Sequence, residues 1–420
     1  MCVAYVGTWA VQPALARSCP AEVSYMVAEQ SSGIIEVMVY LDYAAATPVD
    51  ERVLRAMMPY FTDKFYNPSA PYLAATQVRQ DVERARSELA RCIGARSAEV
   101  VMTAGATESV NLALNGVSGK VITPATEHPA VLNAVQAGGG VILPVRPDGR
   151  VELKQLAESI DDEVGLVSVG YVNGETGVVQ PLKDIAMVID QVRADRQKRN
   201  VAQPILLHSD ASQAAGLLDL NVARLGVDLL TLNAAKCYGP KQVGLLYIRA
   251  GVKLKPLIIG GGQEMGLRGG TENVAGIIGF AKALVLAEER RHSEVGRLGQ
   301  LRQSLKQSLM KHLAGIRFNE SGNNSPAILN ISITGVDGER VVFALDELGV
   351  QVATGSACAA NKGRRSHVLL AMGRSEAEVD GSLRLSLGRP TTEDDVAQAS
   401  ELIVRAVSEQ SKFGVVGYGT

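Results

Sequence analysis

Segments with the apolar pattern of strands alternate with segments of helical period along most of this chain. Between Val78 and Ile93, apolar residues recur three and four positions apart and predict a helix, and Glu99–Thr103 follows as a short buried strand. Further apolar strands are predicted at 121–123, 141–143, 165–169, 204–208, 229–232 and 244–248, several of them separated by helices such as 184–192. This alternation predicts an α/β fold with a mostly parallel sheet covered by helices on both faces.

The pattern changes after about residue 290. A polar helix at 287–312 precedes predicted strands at 328–333, 350 and 383–387 and helices at 338–348 and 392–408. We therefore expect a large domain at 52–290 and a smaller α+β domain made of 38–51 and 291–410, followed by a tail at 411–420. Residues 1–37 lack the basic region of a secretory signal and carry a single Arg17, so they are predicted to be an extension outside the fold.

Composition excludes several classes of protein. The chain is 46% hydrophobic and 20% charged, with 42 Lys+Arg against 44 Asp+Glu, which is typical of a globular protein and gives no footprint for nucleic acid or an anionic membrane. No run of 18 apolar residues predicts a membrane span. Five cysteines without a C-x-x-C pair favour neither a metal site nor a disulfide scaffold. We expect a cytoplasmic protein with small-molecule partners.

Polar residues follow four of the predicted strands, where ligands bind in open α/β sheets. The turn after Glu99–Thr103 opens a helix with small residues, and its free amides and the Thr107 hydroxyl suit a phosphate. Asp210 either pairs with a protonated pyridine nitrogen or caps the next helix. Lys236 is placed to form a Schiff base, with a surface lysine as the alternative, and His128 is catalytic or structural.

A phosphate-binding turn, His128, Asp210 and Lys236, in this order along the chain, are the groups that pyridoxal phosphate requires. The sequence resembles the cysteine desulfurases, fold-type-I pyridoxal-phosphate enzymes of the class-V aminotransferase family, over residues 38 to about 408. The resemblance rests on these motifs: Leu41-Asp-Tyr-Ala-Ala-Ala-Thr-Pro, Asn67-Pro-Ser, Gly105-Ala-Thr-Glu-Ser, Thr126-Glu-His, His208-Ser-Asp-Ala-Ser-Gln, Lys236 with Tyr238-Gly-Pro-Lys, Arg268-Gly-Gly-Thr-Glu-Asn, Gly355-Ser-Ala-Cys and Arg384-Leu-Ser-Leu-Gly-Arg. It implies a large domain with a seven-stranded sheet and a homodimer.

The resemblance also implies residue roles. Lys236 would hold the cofactor covalently and shuttle the substrate α-proton, and His128 would stack on the ring and assist proton transfer. The remaining cofactor contacts would come from Asp210 at the pyridine nitrogen, Gln213 at the ring oxygen, and Ala106, Thr107, Asn233 and, from the other subunit, Thr271 at the phosphate. The substrate L-cysteine would be bound by Arg384 at its carboxylate, with Asn173 and Asn67.

Cys358 is the nucleophile that the resemblance implies. It would attack the sulfur of the bound cysteine, keep that sulfur as a persulfide and release alanine. The nearby Lys362, Arg364 and Arg365 would raise its thiolate fraction. The sulfur would then pass to an acceptor protein, either an iron–sulfur scaffold or a tRNA-thiolation relay, and the Ser-Ala-Cys segment resembles the iron–sulfur-assembly branch. Cys237 and Cys92 are predicted to be packing residues.

The chain departs from the family at several positions. Gly174 stands where the family usually has Asn, and Asn233-Ala-Ala235-Lys236 replaces the usual Ser-Gly-His-Lys. Each lost phosphate contact costs about 1.5–3 kcal/mol of cofactor binding. Two alternatives to a desulfurase therefore stay open: a selenocysteine lyase-like β-eliminating enzyme, and a weakly active homologue that acts as a sulfur-relay or interaction protein.

Overall fold

The computed structural model describes residues 38–355 and 365–413, and of 411–413 only the backbone. All of these residues belong to one compact unit. The predicted N-terminal extension, the predicted nucleophile Cys358 and the last seven residues of the predicted tail lie outside the described residues.

Seven strands form the central sheet, in the order β2-β8-β7-β6-β5-β3-β4. The neighbours from β4 to β7 pair in parallel, and only β8 runs antiparallel, to both β7 and β2. A second sheet has the order β12-β10-β9, and β1 pairs with β11. The strands are β1 Val39–Tyr40, β2 Val100–Thr103, β3 Lys120–Pro124, β4 Val141–Leu143, β5 Val164–Ser168, β6 Leu206–Asp210, β7 Leu229–Asn233, β8 Gly244–Ile248, β9 Ile316–Phe318, β10 Ile328–Ile333, β11 Val350–Gln351 and β12 Ser382–Ser386.

Helices cover both faces of the central sheet. They are α1 Glu51–Met57, α2 Pro59–Thr62, α3 Leu73–Cys92, α4 Ala106–Gly116, α5 Pro129–Ala137, α6 Leu153–Ser159, α7 Leu182–Arg199, α8 Val222–Leu225, α9 Val274–His312, α10 Gly338–Glu347, α11 His367–Ala371, α12 Glu376–Asp380 and α13 Glu393–Phe413. Because side chains alternate along a strand, Val101 of β2 packs toward α4 and α5 while its neighbours Val100 and Met102 pack on the opposite face. The predicted α/β fold, with a mostly parallel sheet covered by helices on both faces, is confirmed.

The second sheet has its own apolar core, to which α10, α13 and the end of α9 contribute. Helix α9 takes part in both cores: Phe280 and Leu284 pack with the central sheet, and Leu305 and Leu309 pack with the second one. The division into a large and a small domain at residue 290 stays a prediction, and its boundary falls inside this helix.

Helix α9 and strand β9 are two of the elements that differ from the sequence-based prediction. Helix α9 begins at Val274 rather than at 287, because residues 274–286 are apolar apart from Lys282 and therefore show no amphipathic period. Strand β9 was not predicted, since its sequence Ile316-Arg-Phe is not a continuous apolar run and none of its residues is fully buried. The last helix begins with a capping box, because Thr392 and Asp395 each accept a hydrogen bond from the other's backbone amide. Within the described ranges, no helix is both long and apolar enough to cross a membrane.

Candidate active site

One cavity of about 300 Å³ lies beyond the carboxyl ends of the parallel strands. The loops after β2, β3, β5, β6 and β7 meet there because parallel strands end at the same edge of a sheet. Most of the residues predicted for the site line it: Ala106, Thr107, His128, Asn173, Asp210, Gln213, Asn233, Lys236 and Arg384.

Two predicted site residues are not brought to this cavity. Asn67 is exposed, and its side-chain oxygen accepts the amide of Ser69 at 2.9 Å. Thr271 is exposed as well, and its predicted role concerns a second subunit. Both assignments stay predictions, and so does that of Cys358, which lies outside the described residues.

The amino end of α4 forms one end of the cavity. Gly105 precedes it with φ 114°, a conformation that favours glycine, and no side chain caps the helix. The first amides of an α-helix have no partner within the helix, and the helix dipole adds positive potential at the same place. This geometry suits a phosphate group beside Ala106 and Thr107.

Lys236 ends a short 3₁₀ turn that follows directly after β7. Asn233 caps this turn, its side-chain oxygen accepting the amide of Ala235 at 3.2 Å. The Lys236 amine donates hydrogen bonds of 2.7 Å to the carbonyl oxygens of Ala44 and Ala45. The amine is thus held at the cavity wall by the loop that follows β1.

Asp210 and His128 lie at the ends of neighbouring loops. Asp210 is the last residue of β6, and its Oδ1 accepts the amide of Ser212 at 2.9 Å. His128 caps α5, its Nδ1 accepting the amide of Ala130 at 3.1 Å. The proton of the neutral ring is therefore on Nε2. Burial lowers the pKa of His128, and the nearby Asp210 only partly opposes this, so the imidazole is neutral at pH 7.

Arg384 lies on β12 with its side chain buried. Its Nη2 donates to Oδ1 of Asp42 at 2.6 Å, and its Nη1 donates to the carbonyl of Gly174 at 3.2 Å. The Nε atom is shielded from solvent and has no hydrogen-bond partner among the described residues. One edge of the guanidinium, that of Nε, therefore still needs an acceptor.

A side chain at position 174 would lie close to Gln213. Its Nε2 donates to the carbonyl of Ala44 at 2.9 Å, and a Cβ at Gly174 would lie 3.0 Å from that nitrogen. Asn173 is tied to the same turn: its Oδ1 accepts from Glu175 and Thr176, and its Nδ2 donates to Thr126. The predicted contact of Asn173 with substrate would have to replace one of these bonds.

Sequence reasoning missed three titratable residues that line the cavity, Glu127, Glu175 and His367. Burial raises the pKa of Glu127 to about 8, although it accepts the amide of Gly170 at 2.7 Å. The Nε2 of His367 lies 2.9 Å from the carbonyl of Glu127. The available signal was adjacency: Glu127 lies within the Thr126-Glu-His motif, Glu175 directly follows Gly174, and His367 follows the Cys358 segment.

The side chains around the cavity fit pyridoxal phosphate. A helix amino end faces the phosphate position, Asp210 offers a carboxylate for a pyridine nitrogen, and Lys236 provides an amine for the aldehyde. Polar atoms that are buried without a hydrogen-bond partner also occur here, within the part of the chain that the structure describes: Ser212 Oγ, Glu175 Oε2 and Arg384 Nε. Such unpaired atoms are expected where a ligand completes the site.

Comparison with known proteins agrees with this site. The Aminotransferase class-V family model matches residues 39–398. The chain is 38% identical over 378 residues to "Cysteine desulfurase IscS 1" of Archaeoglobus fulgidus, covering 87% of this chain and 96% of that protein. It is 37% identical to "Cysteine desulfurase, mitosomal" of Encephalitozoon cuniculi, covering 88% of this chain and 87% of that one.

Solved structures give the same result. A "NIFS-LIKE PROTEIN" superposes with a TM-score of 0.80 at 32% identity, covering 89% of this chain and all of that one. "SspA in complex with cysteine" superposes with a TM-score of 0.70 at 33% identity, covering 83% and 98%. The fold-type-I architecture and the family resemblance are therefore confirmed, and the chain belongs to the class-V aminotransferase family, among the cysteine desulfurases.

Proposed function

We propose that this protein is a pyridoxal-phosphate-dependent cysteine desulfurase that converts L-cysteine to L-alanine and keeps the sulfur as a persulfide on Cys358. The observation that carries the proposal is the convergence of Lys236, Asp210, His128 and Arg384 with the amino end of α4 on one cavity. These groups bind a phosphate, a pyridine ring, an aldehyde and an amino-acid carboxylate.

Four residues of the cavity have defined tasks in the proposed reaction. Arg384 binds the substrate carboxylate through its guanidinium, and Asp42 and the Gly174 carbonyl hold that guanidinium in place. Lys236 holds the cofactor and moves the proton at the substrate α-carbon. His128, neutral and protonated at Nε2, stacks on the ring and assists proton transfer. Pyridoxal phosphate, when bound, supplies an electron sink for the bond that breaks at the α-carbon, and the Asp210 carboxylate favours that role.

The acceptor of the sulfur is proposed from the resemblance alone. Sulfur on Cys358 would pass to an iron–sulfur scaffold protein or to a relay protein for tRNA thiolation, in the cytoplasm. The two destinations are separated by incubating the persulfide form, labelled with ³⁵S, with each class of acceptor and following the label.

A homodimer is part of the proposal. Large apolar side chains are exposed on α2 and its flanks and on the loop before α9, among them Phe61, Phe65, Leu73 and Ile259. Exposed apolar surface of this kind is typical of protein interfaces. Light scattering after size exclusion should give twice the 44.4 kDa mass of the chain, and a mass of one chain would reject the dimer.

The activity is tested on purified protein with pyridoxal phosphate, L-cysteine and a reductant. Alanine and sulfide are measured in parallel for wild type, Lys236→Ala and Cys358→Ala. Equal amounts of both products from wild type, and neither from the two variants, are expected. A wild type that does not turn yellow with the cofactor and forms no alanine would reject the proposal and favour a sulfur-relay or interaction role.

A further inference from the structure

Two buried groups of opposite charge in the cavity each have one unpaired atom. Glu175 and Arg384 are both 3% exposed, and neither Glu175 Oε2 nor Arg384 Nε has a hydrogen-bond partner within residues 38–355 and 365–413. They form no salt bridge with each other in that part of the chain. Burial raises the pKa of Glu175, and the Ser366 hydroxyl and the charge of Arg384 only partly oppose this. An unpaired buried donor and an unpaired buried acceptor in one site fit a ligand that carries both an acceptor and a donor.

The position of Glu175 points to the substrate side chain. The proposed reaction directs the substrate carboxylate to Arg384 and the amino group to the cofactor on Lys236. The side chain of the substrate is then the group that remains for Glu175. In L-cysteine this side chain ends in a thiol, which is a hydrogen-bond donor.

Glu175 is close to the described residues on either side of the sequence segment that carries Cys358. The hydroxyl of Ser366 donates to Glu175 Oε1, and a Cβ at Gly355 would lie 3.3 Å from the same oxygen. These contacts place Glu175 beside the two described residues, Gly355 and Ser366, that flank the Cys358 segment in the sequence.

We propose that the carboxylate of Glu175 accepts a hydrogen bond from the thiol of the substrate and thereby selects cysteine among amino acids that share its carboxylate and amino group. The inference rests on the proposed function and adds a substrate-binding residue to it. Ser366 holds one oxygen of the carboxyl, so Oε2 is the atom left for the thiol.

The test measures binding rather than turnover. In the Cys358→Ala background, which spares the substrate, the cofactor absorbance change is titrated with L-cysteine and with L-alanine, which lacks the thiol. Glu175→Gln is expected to weaken cysteine binding about tenfold and to leave alanine binding within about twofold, as the loss of one charge-assisted hydrogen bond predicts. Glu175→Asp, which keeps the charge but withdraws it by one methylene, should also lower the cysteine-to-alanine ratio.

Two control variants separate this role from others. Glu127→Gln replaces another buried carboxyl of the cavity and should leave the ratio unchanged, whereas Arg384→Lys should weaken both ligands alike. An unchanged ratio in both Glu175 variants, or an equal loss for cysteine and alanine, would overturn the inference. If the Glu175 variants give either of these outcomes while wild type still forms alanine from cysteine, only the role of Glu175 is rejected. If wild type forms no alanine, the proposed function itself is rejected.

Discussion

Replacing Arg86 with Met is expected to lower the unfolding temperature of the cofactor-free protein by about 4–6 °C. Arg86, on α3, is buried and forms a two-pronged ion pair with Glu264, with Nη1–Oε2 at 2.6 Å and Nη2–Oε1 at 2.8 Å. Glu264 also accepts the backbone amide of Met102 on β2 at 2.7 Å. The pair ties the loop before α9 to the edge strand of the central sheet.

The magnitude follows from leaving the Glu264 carboxylate buried without its counter-charge. Removing one partner of a buried ion pair costs about 3–5 kcal/mol. The entropy of unfolding is about 2.1 cal/mol/K per residue, or about 0.8 kcal/mol per kelvin for the roughly 370 described residues. Dividing this free energy by the entropy of unfolding gives the expected shift of the unfolding temperature. Glu264 and Met265 also have positive φ values of 48° and 58°, a strain that the pair helps to hold.

The assay is differential scanning calorimetry of Arg86→Met, with Arg91→Met as control because Arg91 is an exposed arginine on the same helix. The control should shift by less than about 1 °C. Arg86→Met combined with Glu264→Gln should cost less than the sum of the two single changes, since neither charge is then left alone. A shift as small as that of the control, or strictly additive single changes, would refute the reasoning.

Three further predictions concern the site and its surroundings. The pKa of Glu127 is about 8 in the folded protein against an ordinary 4.5. The folded protein therefore keeps a proton that the unfolded chain loses, and the free energy of unfolding falls as the pH rises from about 5 to 8. The melting temperature of Glu127→Gln should therefore exceed that of wild type by more at pH 8 than at pH 5. Ser366→Ala removes the cap of α11 and the donor to Glu175 and should cost about 2–4 kcal/mol of unfolding free energy, measured by urea denaturation. Burial raises the pKa of both Cys92 and Cys237 to about 12, so iodoacetamide at pH 7.5 should leave both unlabelled by peptide mass mapping; rapid labelling of either would contradict their role as packing residues.

Much of the site could be predicted because its residues lie at the ends of strands. Asp210, Lys236 and the turn at Ala106 each follow an apolar strand directly, so local pattern and the geometry of parallel sheets place them at one edge. The predicted start of α9 was wrong for a related reason: a helix segment that is apolar on nearly every side has no amphipathic period to detect. Local pattern therefore locates strand ends well and locates buried helix starts poorly.

The contacts that join distant segments explain what the sequence could not supply. Ser366 and Glu175 are 191 positions apart, and Arg384 and Asp42 are 342 apart, so no local pattern connects them. The same holds for the departures from the family: beside Lys236, Asn233 caps the turn, and at Gly174 a side chain would press on Gln213, which is bonded to Ala44. Restoring the family's Asn at Gly174 would therefore require Gln213, whose amide is bonded to the Ala44 carbonyl, to shift by a few tenths of an ångström.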